Sequence, residues 1–67
     1  MIKNNLSRIL GERRMKMSEL IELTGLGRST VERVYYHKGR NISYDTLDRI
    51  CNALEISVGE LLEHSPD

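Results

Sequence analysis

The stretch Thr24-Gly25-Leu26-Gly27 limits the folds open to this chain more than any other feature. Before it, Met17, Leu20, Ile21 and Thr24 recur at three- and four-residue steps, which places them on one side of a helix. After it, Val31 and Val34 fall together on one side of a second helix running from about Arg28 to Tyr36. Arg28, Ser29, Glu32, Arg33 and Tyr36 take the opposite arc. Gly25 is the natural stop of the first helix, because the residue past a helix end often needs positive φ. Leu26 then plugs the bend. So short a connection makes the two helices cross steeply around Leu20, Leu26, Val31 and Val34, and leaves the second protruding with an outer face of long hydrogen-bond donors.

The rest of the pattern is helical too, and no strand alternation competes with it. Ile2, Leu6, Ile9, Leu10 and Arg13 predict a first helix over roughly residues 4–14. Gly39 is available to end the third. Ser43 reads as the N-cap of a fourth helix whose apolar stripe is Leu47, Ile50, Cys51 and Leu54. Ser57 and Glu60 form an S-x-x-E capping box that starts a fifth through Val58, Leu61 and Leu62. Pro66 falls in a frayed tail. The expectation is an all-α fold, a small bundle of about five helices, with residues 1–67 as a single domain. With three Tyr and no Trp or Phe, the core must be built from Leu, Ile, Val and Met.

Composition narrows the function classes. One cysteine, Cys51, cannot form an internal disulfide, and its place on an apolar stripe reads as a small core residue. No apolar run approaches the ~20 residues of a membrane span, and the N-terminus lacks a signal peptide's apolar block, so a cytoplasmic protein is expected. His37 and His64 have no metal-ligand spacing. No nucleophile–base pair, paired carboxylates or phosphate-cradling loop stands out, so neither an enzyme, a cofactor nor a small-molecule ligand is expected. The net charge of zero hides an asymmetry: residues 1–40 carry nine basic against four acidic residues, and residues 41–67 one against six. A basic front and an acidic rear suggest a polyanion for one side only; the alternative is a solvated surface with accidental polarity.

A helix, a short glycine bend and a protruding second helix make the geometry of a helix-turn-helix, whose second helix fits the major groove of DNA. The segments MSELIELTGLGRSTVERV, KGR and ISYDTLDRICNALEISVGELL extend that reading across residues 6–62. Together they resemble the Cro and phage-repressor type of helix-turn-helix domain, the XRE family. The resemblance implies a lambda-repressor-like fold with the helix-turn-helix at about residues 17–36, and double-stranded DNA as partner, commonly bound by homodimers on inverted repeats. Three positions depart from the family pattern. Lys16 replaces a Ser or Thr cap, Met17 a frequent phosphate-touching glutamine, and Ile21 a usual alanine where the helices approach.

The same resemblance puts Arg28, Ser29 and Arg33 at base-facing positions, and the helical wheel agrees. Glu32, four residues after Arg28, either aims its guanidinium or accepts from cytosine N4. Lys16, Thr30, Tyr36, Lys38, Arg40 and Asn41 are expected at phosphates, where they set register without reading sequence. Tyr35 is expected to pack, with its hydroxyl outward. Val58, Leu61 and Leu62 are the dimer candidates. The implied function is a sequence-specific transcriptional regulator, a small Cro-like repressor of phage or mobile-element type. The alternatives are an antitoxin that represses its own operon, and a protein-interaction module that has lost DNA.

Overall fold

The computed structural model describes residues 1–36 and 41–66. Along them run β1 (Ile2–Asn4), α1 (Leu6–Glu12), α2 (Met17–Thr24), α3 (Arg28–Tyr35), α4 (Tyr44–Leu54), α5 (Val58–Leu61) and β2 (Leu62–His64). Every helix contributes to one buried cluster: Leu6 and Leu10, Leu20, Val31 and Val34, Leu47, Ile50 and Leu54, and Leu61. Ile9, Met15, Met17, Ile21, Leu26, Tyr35 and Cys51 pack against it at half-burial. Burying each such large aliphatic chain contributes about 1.5–3 kcal/mol, and this is what holds helices of four to eleven residues together. The all-α body is therefore the one that periodicity leads to.

Two features depart from it. The first is the strand pair: β1 and β2 are antiparallel, with Ile2 opposite His64, Lys3 opposite Glu63 and Asn4 opposite Leu62. The Ser65 N–H donates to the Met1 carbonyl at 3.0 Å, and the Met1 ammonium donates to the Ser65 carbonyl at 2.6 Å. The C-terminal segment is thus tied down as far as Ser65 rather than frayed. Because Asn4 belongs to the strand, α1 starts two residues later than the apolar repeat suggested; the Asn4 side-chain oxygen accepts the Leu6 N–H at 2.8 Å. The second is Leu61, which is fully buried. It closes the core of its own protomer, so it offers no surface to a second copy. Of the three apolar candidates, Val58, half-exposed, and Leu62, partly buried, remain accessible.

The caps show how these short helices end. At α4, Ser43 Oγ accepts the Thr46 N–H at 3.1 Å. At α5, Ser57 Oγ accepts the Glu60 N–H at 3.2 Å while the Glu60 carboxylate accepts the Ser57 N–H at 3.0 Å. Both caps were legible in the sequence. The C-terminal ends of α1 and α4 are Schellman motifs: Met15 N–H to Leu10 carbonyl with Arg14 N–H to Gly11 carbonyl, and Ile56 N–H to Cys51 carbonyl with Glu55 N–H to Asn52 carbonyl. Such motifs favour glycine at the left-handed position, yet Arg14 and Glu55 occupy it at φ 53° and 55°. Burial pushes the Cys51 thiol up from its ordinary value, and Asp48 and Glu60 push it the same way. It stays protonated at neutral pH, which suits a packing role.

Glu55 is doubly misplaced, with an L residue in left-handed backbone and a carboxylate at the negative end of a helix. Glu55→Gly is therefore expected to stabilise the fold by about 0.5–1 kcal/mol. The urea midpoint should rise with an unchanged denaturant slope.

Candidate nucleic-acid interface

The interface is built outward from the end of α2. Lys16 stands at its N-cap with extended backbone. A lysine ammonium has no acceptor, so only half of a capping box forms: the Glu19 carboxylate accepts the Lys16 N–H at 3.1 Å. The Glu19 N–H turns to the Lys16 backbone carbonyl at 3.0 Å, and the exposed Lys16 side chain plays no part in the cap. At the other end, Gly25 has φ 71° and its N–H donates to the Ile21 carbonyl at 3.0 Å. Buried Thr24 turns its hydroxyl to the Leu20 carbonyl at 2.8 Å and accepts the Leu26 N–H at 3.3 Å. Gly27, by contrast, has φ −70° and open space where a Cβ would go. Of the two glycines, only Gly25 is required by the backbone.

Arg49 reaches this bend from α4. Its Nη1 donates to the Thr24 carbonyl at 3.2 Å and its Nε to the Asp45 carboxylate at 3.0 Å. A cation against the last carbonyls of α2 complements the negative end of that helix. On the far side, Asn4 Nδ2 donates to the Val34 carbonyl at 2.8 Å, in the last turn of α3. Neither residue was singled out from the sequence. Arg49 had a signal, as the one cation of residues 41–67, four residues after Asp45. Asn4 had none.

Between these anchors α3 buries Val31 and Val34 and turns Arg28, Ser29, Arg33 and Tyr36 out to solvent, with Glu32 half-buried beside them. The Arg28 guanidinium lies 3.6 Å from the Glu32 carboxylate, so the pairing expected from their spacing forms. Thr30 is half-buried, and no side chain caps the first turn of α3, which leaves its amides able to face an anion. Tyr35 packs on the core while Tyr36 is exposed, and their rings meet edge-on with centroids 4.9 Å apart at 83°. Asn41 is exposed; Lys38 and Arg40 lie outside the described residues. Tyr44, in the first turn of α4, is 90% exposed and was not anticipated.

The basic front is not uniform in space. Arg8 and Glu12 of α1 and Arg13 at its C-cap line one open groove with Ile9, Ile56, Gly59, Glu60 and Glu63, and Arg8 pairs with Glu12 at 3.3 Å. Among the described residues no group of His, Cys, Asp and Glu side chains is placed to hold a metal ion, and no helix is long and apolar enough to cross a membrane.

An exposed donor-bearing helix set off by a fixed bend is the geometry of a helix-turn-helix, whose second helix fits the major groove of DNA. Residues 5–67 match the Cro/C1-type HTH DNA-binding domain, and the chain belongs to that family. It is 33% identical over 63 residues to the uncharacterized HTH-type transcriptional regulator YozG of Bacillus subtilis (strain 168), covering 94% of this chain and 75% of that protein.

The two glycines of the bend should respond differently to substitution. Gly25→Ala is expected to cost about 1 kcal/mol or more, since alanine must adopt φ 71° there. Gly27→Ser, which supplies a better N-cap for α3, should stay within about 0.5 kcal/mol of the parent or stabilise it. Thermal and urea unfolding of both variants checks the contrast.

Proposed function

We propose that this protein is a small transcriptional repressor that occupies an operator as a homodimer, reading one half-site with each copy of α3. The observation that carries the reading is the outer face of α3, where Arg28, Ser29 and Arg33 stand exposed on a helix held at a fixed bend. Arginine on such a face makes bidentate contacts with guanine O6 and N7. Glu32 aims Arg28 through their ion pair. Lys16, Thr30, Tyr36, Asn41, Lys38 and Arg40 take the phosphates. One short recognition helix reads too few base pairs to be selective alone, which argues for two copies on an inverted repeat. Val58 and Leu62 supply that contact. The setting is the cytoplasm and the action is steric, by occupancy of a promoter; a phage or mobile-element regulator controlled by its own abundance fits a chain of this kind. The relative named as a transcriptional regulator supports the regulatory part of this reading.

A second reading, an antitoxin that also holds a basic toxin, is favoured by the acidic residues 41–67. Copurification with a small basic protein from the source cells distinguishes it.

Base readers and phosphate clamps should separate in binding isotherms. On a duplex selected from a random pool, Arg28→Ala or Arg33→Ala should cost about 1–3 kcal/mol and relax preference at one position of each half-site. Fold stability should move by less than ~0.5 kcal/mol, because both sites are exposed. Lys38→Ala or Arg40→Ala should weaken selected and scrambled duplexes alike. Equal losses for all four variants on both duplexes refute base reading by α3.

Parent binding should also weaken steeply with salt. A log–log slope near −4 to −5 is expected, from about 0.9 for each of five or so phosphate contacts. Each clamp variant should reduce the magnitude of that slope by about 1. A flat salt response at measurable affinity refutes the polyanion partner.

A further inference from the structure

We propose that Arg49 and Asn4 are positioning residues for the reading of DNA, holding from outside the helix-turn-helix the end of α2 from which α3 departs and the last turn of α3. The inference rests on the base-reading role of α3 proposed above and adds the device that aims it. Base readout depends on pitch, because guanidinium groups must reach the N7 and O6 edges of particular guanines with hydrogen-bond geometry. The pitch of α3 is set at two junctions. At its start, the chain leaves α2 through Gly25, and the preceding Thr24 carbonyl is taken by Arg49 Nη1 at 3.2 Å. A second bond, Nε to the Asp45 carboxylate at 3.0 Å, fixes the guanidinium fork on α4. The bend is thereby tied to a helix that is not part of the reading unit. At its end, the Val34 carbonyl accepts from Asn4 Nδ2 at 2.8 Å. Asn4 is itself held, its Oδ1 taking the Leu6 N–H at 2.8 Å and its backbone lying in the sheet opposite Leu62. Each anchor spans a long stretch of sequence to a backbone carbonyl at a helix end, and neither residue lies on the outer face of α3. Removing one frees an end of α3 to tilt while its arginines stay in place. Operator recognition then falls, whereas the general attraction of the cationic face for phosphate does not.

The test measures binding of the full chain to the selected duplex and to its scrambled counterpart across a salt series. Circular dichroism at the assay temperature shows that each variant is folded. Arg49→Met keeps an unbranched stem and loses every donor; it should bind the selected duplex about tenfold more weakly and the scrambled one within about twofold, with the salt slope unchanged. Arg49→Lys, which still offers a donor to the Thr24 carbonyl, should recover most of the loss. Asn4→Asp keeps the acceptor for Leu6 but loses the donor to Val34, and should lose selectivity in the same direction. Should Arg49→Met fail to fold, Asp45→Ala, at an exposed site, carries the test: it frees the guanidinium from its second anchor and should cost a smaller but measurable part of the selectivity.

Equal loss on both duplexes, or a slope reduced by about 0.9, makes Arg49 a phosphate clamp and overturns the proposal. Unchanged affinity in folded variants overturns it too. Arg28→Ala and Arg33→Ala separate the two layers. If both retain full selectivity, base reading by α3 fails and the positioning role with it. If either loses selectivity while the folded Arg49, Asp45 and Asn4 variants do not, only the positioning role falls.

Discussion

A helix that ends against its neighbours leaves carbonyls that must find donors, and the end of α2 is where this chain meets that constraint. Two of those carbonyls are met in different ways, Ile21 by the Gly25 N–H and Thr24 by Arg49, while the Thr24 hydroxyl adds a bond to the Leu20 carbonyl one turn back. Of these donors, only the Gly25 N–H belongs to the backbone of the bend. The direction in which α3 departs is consequently a property of Thr24, Gly25 and Arg49 together. From that direction follow the meeting of Val31 and Val34 with Leu20 and the exposure of Arg28 and Arg33. A looser end to α2 would preserve the helices and lose the interface.

A domain of this length buries a smaller share of its surface than a larger one, and the closure of the chain on itself offsets part of that. Asn5 does most of it. Its N–H donates to the Leu61 carbonyl at 2.8 Å, and its side-chain amide donates to the Glu60 carbonyl at 3.2 Å and to the Glu63 carboxylate at 2.7 Å. The adjacent Asn4 faces the other way, to α3. Two consecutive asparagines thus connect the C-terminal segment to α3, so the short sheet is tied to the helix that turns Arg28 and Arg33 to solvent.

How much of this the sequence discloses depends on the range over which each feature is decided. Helix faces, the Gly25 stop and the caps at Ser43 and Ser57 are settled within a turn or two, and all were readable. The Arg28–Glu32 pair is likewise local. The strands were not readable because three-residue segments such as Ile2–Asn4 carry no alternation and acquire their state from a partner some sixty residues away. Leu61 misleads for a related reason: an apolar residue on a one-turn helix has the same pattern whether it faces its own core or another molecule. Only the packing of α5 against α4 decides between them. The reach of Arg49 and Asn4 to the Thr24 and Val34 carbonyls is harder to read, since backbone carbonyls have no residue type to recognise; the Arg49–Asp45 spacing is the one local trace of it.

Charge shows the same difference between sequence order and space. Counted along the chain, the first forty residues form a cationic block; folded, Arg8 and Arg13 sit in a groove beside Glu12, Glu60 and Glu63, and Lys3 lies opposite Glu63 in the sheet. Arg8 meets the Glu12 carboxylate at 3.3 Å, a range at which screening is weakest. At physiological salt, exposed charges more than about 8 Å apart are largely screened from one another. A phosphate approaching α3 therefore responds to the side chains of that face, and the chain's net neutrality says little about it. Arg28 is paired with Glu32 as Arg8 is with Glu12, while Arg33 and Lys16 stand exposed around the helix-turn-helix. An uneven surface of this kind favours one face of the molecule toward a polyanion rather than merely attracting it, which is what the proposed reading by α3 requires.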